Sequence, residues 1–209
     1  CIDYFKEYMN QKNGKNSLGL DACFEDVENP IDLFRKWFAK AKESEINDPN
    51  ALALATASNT NQASVRMVLL KDLSDKGFVF YTNFNSKKSE DLKDNKNASM
   101  CFHWKSLRRQ IRITGKVEKV TDKEADSYFN SRPYKNKIGA WASSQSKIMD
   151  NRENFLKKIK ELEKKYPDQN NVPRPEYWSG WRVLPSEIEF WVDVEGRVHE
   201  RLNYKYKNG

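Results

Sequence analysis

Arg197, His199 and Arg201, each two residues apart behind the turn pair Glu195-Gly196, are the side chains of this sequence best suited to chemistry. If residues 197–206 form a strand, alternate side chains share a face, and the three make a row at spacings of about 6.5–7 Å. A cationic row with a titratable centre suits a doubly charged phosphate, or a reacting group that must lose a proton. Between two arginines, His199 is expected to serve as a neutral acceptor of a hydrogen bond or a proton. The same triplet also reads as a solvated edge strand protected by its charges. The rest of the chain decides between these readings.

With 209 residues, the chain can bury one substantial core. We expect a single domain over 29–209, preceded by a segment, 1–28, that is flexible or covers a substrate. Lysine and arginine outnumber the acids 37 to 30, a formal net charge of +7. That balance favours anionic partners, among them nucleic acid, phosphate cofactors and phosphorylated metabolites. Three widely spaced cysteines, without a Cys-x-x-Cys pair, indicate neither a disulfide framework nor a zinc site, and a reducing cytoplasm fits them. Neither an export leader nor a run of eighteen apolar residues is found, so no membrane association is expected. The sequence has no Gly-x-Gly-x-x-Gly, no phosphate loop and no Gly-x-Ser-x-Gly, and only two histidines, His103 and His199. Rossmann, P-loop, serine-hydrolase and His-rich metal chemistry are therefore disfavoured, and an organic cofactor becomes the natural source of reactivity.

The elements that must position such a site follow from periodicity. Asn29-Pro30 starts a helix whose Ile31, Phe34, Trp37, Phe38 and Ala41 recur at helical spacing. Strands are expected at Ala51–Ser58, Ser64–Leu70, Phe78–Thr82, Ala98–Trp104 and Arg109–Val120, the last alternating Ile111, Ile113 and Val117 with polar residues. Capping boxes at Thr121–Glu124 and Asp150–Glu153 open two helices. Residues 131–148 resist assignment. Strands Trp181–Leu184, Glu187–Val192 and Arg197–Tyr206 complete the pattern. The economical architecture is mainly β with α: an antiparallel barrel of about six to eight strands with helices packed outside.

Several strings then occur in a telling order: Arg66-Met67-Val68-Leu69-Leu70-Lys71, Phe80-Tyr81-Thr82-Asn83, Ser86-Lys87-Lys88, Arg109-Gln110, Ser131-Arg132-Pro133, Ile138-Gly139-Ala140-Trp141, Ser144-Gln145-Ser146, Glu189-Phe190-Trp191 and Arg197–Arg201. From about Asn29 onward, this set resembles the pyridoxine/pyridoxamine 5′-phosphate oxidases. The resemblance implies a split β-barrel homodimer that binds FMN at its interface. It implies oxidation of a phosphorylated vitamin B6 vitamer to pyridoxal 5′-phosphate, with oxygen as acceptor and hydrogen peroxide as second product. By position, Arg66, Met67, Val68, Leu69, Leu70, Lys71, Tyr81, Thr82, Lys87, Lys88, Gln110, Gln145, Ser146, Trp191 and Arg201 would contact FMN. Lys71, Tyr128, Arg132, Asn136, Arg197 and His199 would hold the substrate, with Arg197 and His199 in the catalytic roles.

Read singly, most of these residues have plainer explanations. Met67 and Leu69 alternate with Arg66 and Val68 as core residues would, and Lys87-Lys88 could be solvated charge. Trp191 would usually be core, and Arg132 before Pro133 could merely end a helix. The chain also departs from the family pattern. Asn136 stands where a serine is usual, Lys87 where an arginine is usual, Val198 for a leucine and Ser179 for the first glycine after Trp178. The family pattern continues past Lys207-Asn208-Gly209 to a tail whose absence would weaken activity, and Phe5–Tyr8 resembles a substrate-covering lid. Two other readings stand beside the oxidase: a split-barrel flavin reductase or FMN-binding protein, and a basic barrel for single-stranded nucleic acid, the latter disfavoured by the ordered motifs.

Overall fold

The computed structural model describes residues 4–8 (backbone only), 20–21, 23–149 and 151–206. In chain order the elements are β1 (Tyr4–Tyr8), α1 (Pro30–Ser44), β2 (Ala51–Ala57), β3 (Ala63–Leu69), β4 (Asp72–Ser74), β5 (Gly77–Asn83) and α2 (Lys87–Asp94). They continue with β6 (Asn97–Trp104), β7 (Arg109–Lys119), α3 (Asp122–Ser131), α4 (Tyr134–Ala142), α5 (Arg152–Lys165), β8 (Trp178–Val192) and β9 (Glu200–Tyr206). All the described strands join one antiparallel sheet, whose main path runs β1-β9-β8-β7-β6-β2-β3. β8 changes partner along its length: residues 178–183 pair with β5, and residues 187–192 pair with β9. That change of partner splits and curls the sheet into a half-barrel.

The split falls at a local sequence device. Pro185 has no N–H to give to a ladder, and β7 shifts register opposite it, between Thr114 and Gly115. A Cβ on Gly115 would stand 1.9 Å from the Leu184 carbonyl oxygen, so only glycine lets the strands approach there. The two strands expected at 181–184 and 187–192 are consequently one bent strand. The sheet has nine strands rather than six to eight, because Tyr4–Tyr8 and Asp72–Ser74 add to it.

α1 plugs the inside of the curl. The Asn29 side chain caps its first turn by accepting from the Ile31 N–H, with Pro30 at the first helical position. Ile31, Phe34, Trp37 and Ala41 are buried as their spacing predicts, and Phe34 meets Phe78 and Phe102 edge-to-face at centroid distances of 4.9 and 5.1 Å. The Thr121–Glu124 capping box forms as expected and opens α3. Asp150 lies outside the described residues, and α5 is capped by Asn151, which accepts from the Asn154 N–H. The unassigned stretch 131–148 contains α4.

The strand expected from Arg197 begins only at Glu200. Gly196 and Arg197 both adopt positive φ (73° and 62°) in a 3-10 turn, Glu195–Arg197, which breaks the alternation on which the cationic row was built.

Candidate active site

A cleft of about 450 Å³ is bordered by β3, β5 and helices α2, α3 and α4. Among the described residues four cations line it, Lys71, Lys88, Arg132 and Lys135, and no carboxylate does. Each backbone element delivers its residue for a legible reason. Ser86 starts α2, which turns Lys88 inward from the first turn. The capping box fixes the start of α3, whose end carries Tyr128 and Arg132. On α4 and its flanks, Arg132, Lys135, Asn136, Gly139 and Ser143 recur at spacings of three and four, so one helical face meets the cleft.

Lys88 is only 7% exposed, and its ammonium donates to Thr82 Oγ1 (3.0 Å), Ser86 Oγ (3.0 Å) and Gln145 Oε1 (3.1 Å). Thr82 in turn donates to Gln145 Oε1 at 3.1 Å. All three acceptors are neutral. Burial, with added repulsion from Arg66, pulls the Lys88 ammonium down to about 8. A buried cation without an anionic partner is costly, and a phosphate in the cleft would supply what it lacks.

Arg132 shows the same pattern at the other end. Its guanidinium lies 4.7 Å above the Trp178 ring and 5.6 Å from Phe129, and its buried Nη1 has no hydrogen-bond partner among the described residues. Burial lowers its pKa from the ordinary arginine value. Tyr81, Tyr128 and Trp178 form a stack beneath it, with Tyr81–Tyr128 centroids 4.1 Å apart. Burial pushes the Tyr81 phenol up to about 12, so it remains a neutral wall. Gly139 leaves the cleft open, since a Cβ there would meet nothing within 4 Å.

Arg66 and Lys87, both expected to contact FMN, are not among the residues lining the cleft. Arg66 donates to the Leu54 carbonyl (3.1 Å), Thr56 Oγ1 (2.8 Å) and Ser64 Oγ (2.7 Å), while Lys87 pairs with Asp91. Burial alone would raise the Asp91 carboxyl, but hydrogen bonds from Lys87 and Thr56 hold it below its ordinary value. This network anchors α2 to β2. Leu70 is core, and Ser146 takes a positive φ of 63° just outside the cleft lining. Met67 and Leu69, expected in the core, are exposed (64% and 36%) and line the cleft together with Val68. β3 is a sheet edge, so the outward face of its alternation meets no second layer of this chain.

A second cluster lies apart from the cleft. Gln110, Trp191 and Arg201 stand opposite one another on β7, β8 and β9, one row on one face. The His199 ring lies 4.8 Å from Trp191. Its surroundings are not purely cationic as the sequence suggested: Asp193 Oδ1 is 3.0 Å from His199 Nδ1, and Glu189 Oε1 is 3.8 Å from Arg201 Nε. Arg197 is exposed in the turn. None of these five residues lines the cleft.

Sequence reasoning had missed Lys135, Asn83, Ser143 and Trp178. Once 134–142 is read as a helix, Lys135 follows from its phase with Arg132 and Gly139. Trp178 carried no signal separate from core.

A curled antiparallel sheet with flanking helices defines a split-barrel protein, and its cleft is lined by cations without a carboxylate among the described residues. Two family profiles match, described as pyridoxamine 5′-phosphate oxidase over residues 38–166 and as pyridoxine 5′-phosphate oxidase C-terminal dimerisation region over residues 178–209. The chain belongs to the pyridoxine/pyridoxamine 5′-phosphate oxidase family. It is 60% identical over 192 residues to the pyridoxine/pyridoxamine 5′-phosphate oxidase of Pelagibacter ubique, covering 92% of each chain. Identity to the enzyme of the same name from Bartonella quintana is 54% over 187 residues, covering 90% of each. Among solved structures, PhzG from Burkholderia lata, in complex with tetrahydrophenazine-1-carboxylic acid, superposes with a TM-score of 0.83 at 30% identity, covering 88% of this chain and 90% of that one. A pyridoxamine 5′-phosphate oxidase-related, FMN-binding protein from Nostoc punctiforme shares the fold, with a TM-score of 0.67 at 14% identity over 84% of this chain and 91% of that one.

Proposed function

We infer that this protein oxidises pyridoxine 5′-phosphate or pyridoxamine 5′-phosphate to pyridoxal 5′-phosphate, using FMN, with oxygen as acceptor and hydrogen peroxide as second product, the amine substrate also consuming water and releasing ammonia. The observation that carries this reading is the pair Lys88, a buried cation, and Arg132, half-buried with an unpartnered buried Nη1, which line one cleft with no carboxylate among its described lining residues. Two separated cations fit two phosphorylated molecules better than one.

The residues present fit FMN. Lys88, with Thr82 and Gln145, forms a donor set for its phosphate end, and the backbone of 66–71 offers the flavin edge further donors and acceptors. Tyr81 and Ser146 lie close by, with Arg66 and Lys87 behind them. When bound, FMN supplies a two-electron acceptor for a hydride. The substrate phosphate, carrying about −1.5 to −2 charge, is assigned to Lys71, Tyr128, Arg132 and Asn136. Charge-assisted hydrogen bonds of about 1.5–3 kcal/mol each make that phosphate the handle for affinity.

The second cluster completes the site from the other subunit of a homodimer. Trp191, Arg197, His199 and Arg201 all fall within the region matched by the dimerisation profile. Beside the cleft, the free edge strand β3 exposes Val65 and Met67 (68% and 64%), an apolar rim that a second copy would cover. In that arrangement the partner subunit's Arg197 closes over the substrate and polarises it. The partner subunit's His199 would orient the oxidisable carbon and accept the proton that the hydroxyl or amino group on that carbon gives up as the carbon loses a hydride, while Gln110, Trp191 and Arg201 would wall the flavin.

Reconstitution with FMN, followed by anaerobic addition of pyridoxamine 5′-phosphate, tests the reading. The yellow absorbance should bleach and return on admitting oxygen, with stoichiometric hydrogen peroxide. A colourless protein that takes up no FMN, or a yellow one that the vitamer cannot bleach, would overturn it.

A further inference from the structure

Arg174 lies in the loop between α5 and β8, outside every motif that carries the family resemblance, yet it is 88% buried by its side chain and fully engaged: the side chain is 12% exposed. Its Nε donates to Asp126 Oδ1 (2.6 Å), its Nη2 to Asp122 Oδ1 (3.2 Å) and its Nη1 to the Trp178 carbonyl (2.8 Å). Asp122 and Asp126 sit one turn apart on α3, the helix that carries Tyr128 and ends at Arg132. Trp178 is the ring over which Arg132 lies and against which Tyr81 stacks, at 5.3 Å. One guanidinium thus ties the helix bearing the phosphate-binding side chains to the strand bearing the platform beneath them.

We propose that Arg174 is a positioning residue for the substrate phosphate, setting the register of α3 on Trp178 and hence the place of the Arg132 guanidinium. The proposal rests on the oxidase reading for the identity of the substrate. It goes beyond that reading in assigning affinity to a residue that touches neither ligand. The planar fork suits this arrangement: the donors are spread over Nε, Nη1 and Nη2, each facing a different acceptor, whereas a lysine offers its three N–H groups from a single nitrogen. Folding does not depend on it alone. α3 keeps its capping box and a second clamp, Arg182, which bonds both Glu118 and Glu124. The donor set around Lys88 shares no atom with the Arg174 clamp, so FMN should not sense its loss.

The test is Arg174→Gln in the FMN-loaded dimer. The KM for pyridoxine 5′-phosphate and the calorimetric Kd for pyridoxal 5′-phosphate should each rise about tenfold, equivalent to about 1.4 kcal/mol, with kcat and the FMN Kd within about twofold of the parent. Arg174→Lys should recover only part of the loss. In a double-mutant cycle, Asp126→Asn should add little to Arg174→Gln, because both cut the same bond. Unchanged KM and Kd in the folded variant would overturn the proposal. So would a rise in KM accompanied by parallel falls in kcat and FMN affinity, which marks general loosening, or full additivity in the cycle. If the parent protein binds FMN but oxidises no vitamer, the functional reading fails by itself, and the pyridoxal 5′-phosphate titration still decides the role of Arg174.

Discussion

The cleft and the 193–201 turn both carry basic residues, and they treat those charges in opposite ways. In the cleft, Lys88 is buried and bonded only to neutral groups, Arg132 is half-buried with a buried Nη1 that has no hydrogen-bond partner among the described residues, and none of the described lining residues is an acid. Around the turn, His199 has Asp193 beside it, Arg201 lies near Glu189, and Arg197 faces outward. Unpaired buried charge carries a cost, and an anion in the cleft would offset it. Paired, half-exposed charge costs little and holds no comparable driving force for a ligand. The contrast teaches that the two regions are built differently, and on the proposed reading the cleft of one chain supplies the grip while Arg197 and His199 act from a second copy.

The sharpest way to break this division is to damage each region on a different chain. Arg132→Ala and Arg197→Ala homodimers should each lose about 100-fold or more in kcat/KM, as expected for truncating a charged contact to the reacting substrate. Co-expressed, they should regain about a quarter of parental activity: half of the dimers are mixed, and one of the two sites in each mixed dimer is intact. No recovery in steady-state assays of the mixture would mean that both regions act within one chain.

Lys88 sharpens the comparison through pH. Lys88→Ala should weaken FMN binding by about 2–3 kcal/mol, read from quenching of FMN fluorescence. In the parent, FMN affinity should fall as pH rises past about 8, where the free ammonium loses its proton, and Lys88→Arg should move that fall to higher pH. The stability of the FMN-free protein should move the other way. The folded pKa lies below the ordinary 10.5, so between about 8 and 10.5 the unfolded chain binds more protons than the native one, and this group's contribution to stability rises with pH. An FMN affinity flat from pH 7 to 10 would remove Lys88 from the phosphate site.

His199→Asn keeps a hydrogen-bonding side chain but removes a base. In the partly exposed setting of His199, it should lower kcat by about 10-fold to 100-fold with an unchanged melting temperature. An unaltered kcat and kcat/KM would leave His199 as packing for Trp191.

How far the sequence foretold these regions differs as much as their charges. The cleft was largely legible: strands 51–57 and 63–69 follow period-two alternation, 77–83 is a short buried apolar run, and Thr121–Glu124 announces α3. Its floor was not. Residues 134–142 form α4 from a mixed polar and aromatic string with little amphipathic signal, and without that helix the phase linking Arg132, Lys135 and Gly139 is invisible. Met67 and Leu69 were misread for a related reason, since alternation shows which residues share a face but not whether a second layer covers it. At the turn, the motif residues were found while their geometry was not. A row inferred from spacing presumes a continuous strand, and Gly196 with Arg197 at positive φ ends it.

The smallest expected effect concerns a substitution on the platform of the cleft. Ser179, opposite Thr82 on the neighbouring strand, buries a hydroxyl that has no hydrogen-bond partner among the described residues. Where the family pattern has glycine, this chain thus carries a polar atom that its own fold leaves unmet. Ser179→Ala should stabilise the FMN-free protein by about 0.5–1 kcal/mol in denaturant unfolding, because it removes an unsatisfied group and keeps the strand's Cβ. Ser179→Gly should gain less or lose, since glycine in a strand interior costs about 0.5–1 kcal/mol of backbone entropy. If Ser179→Ala is instead destabilising only in the FMN-loaded protein, the hydroxyl finds its partner in a ligand, and the grip attributed to Lys88 and Arg132 extends to a third residue of β8.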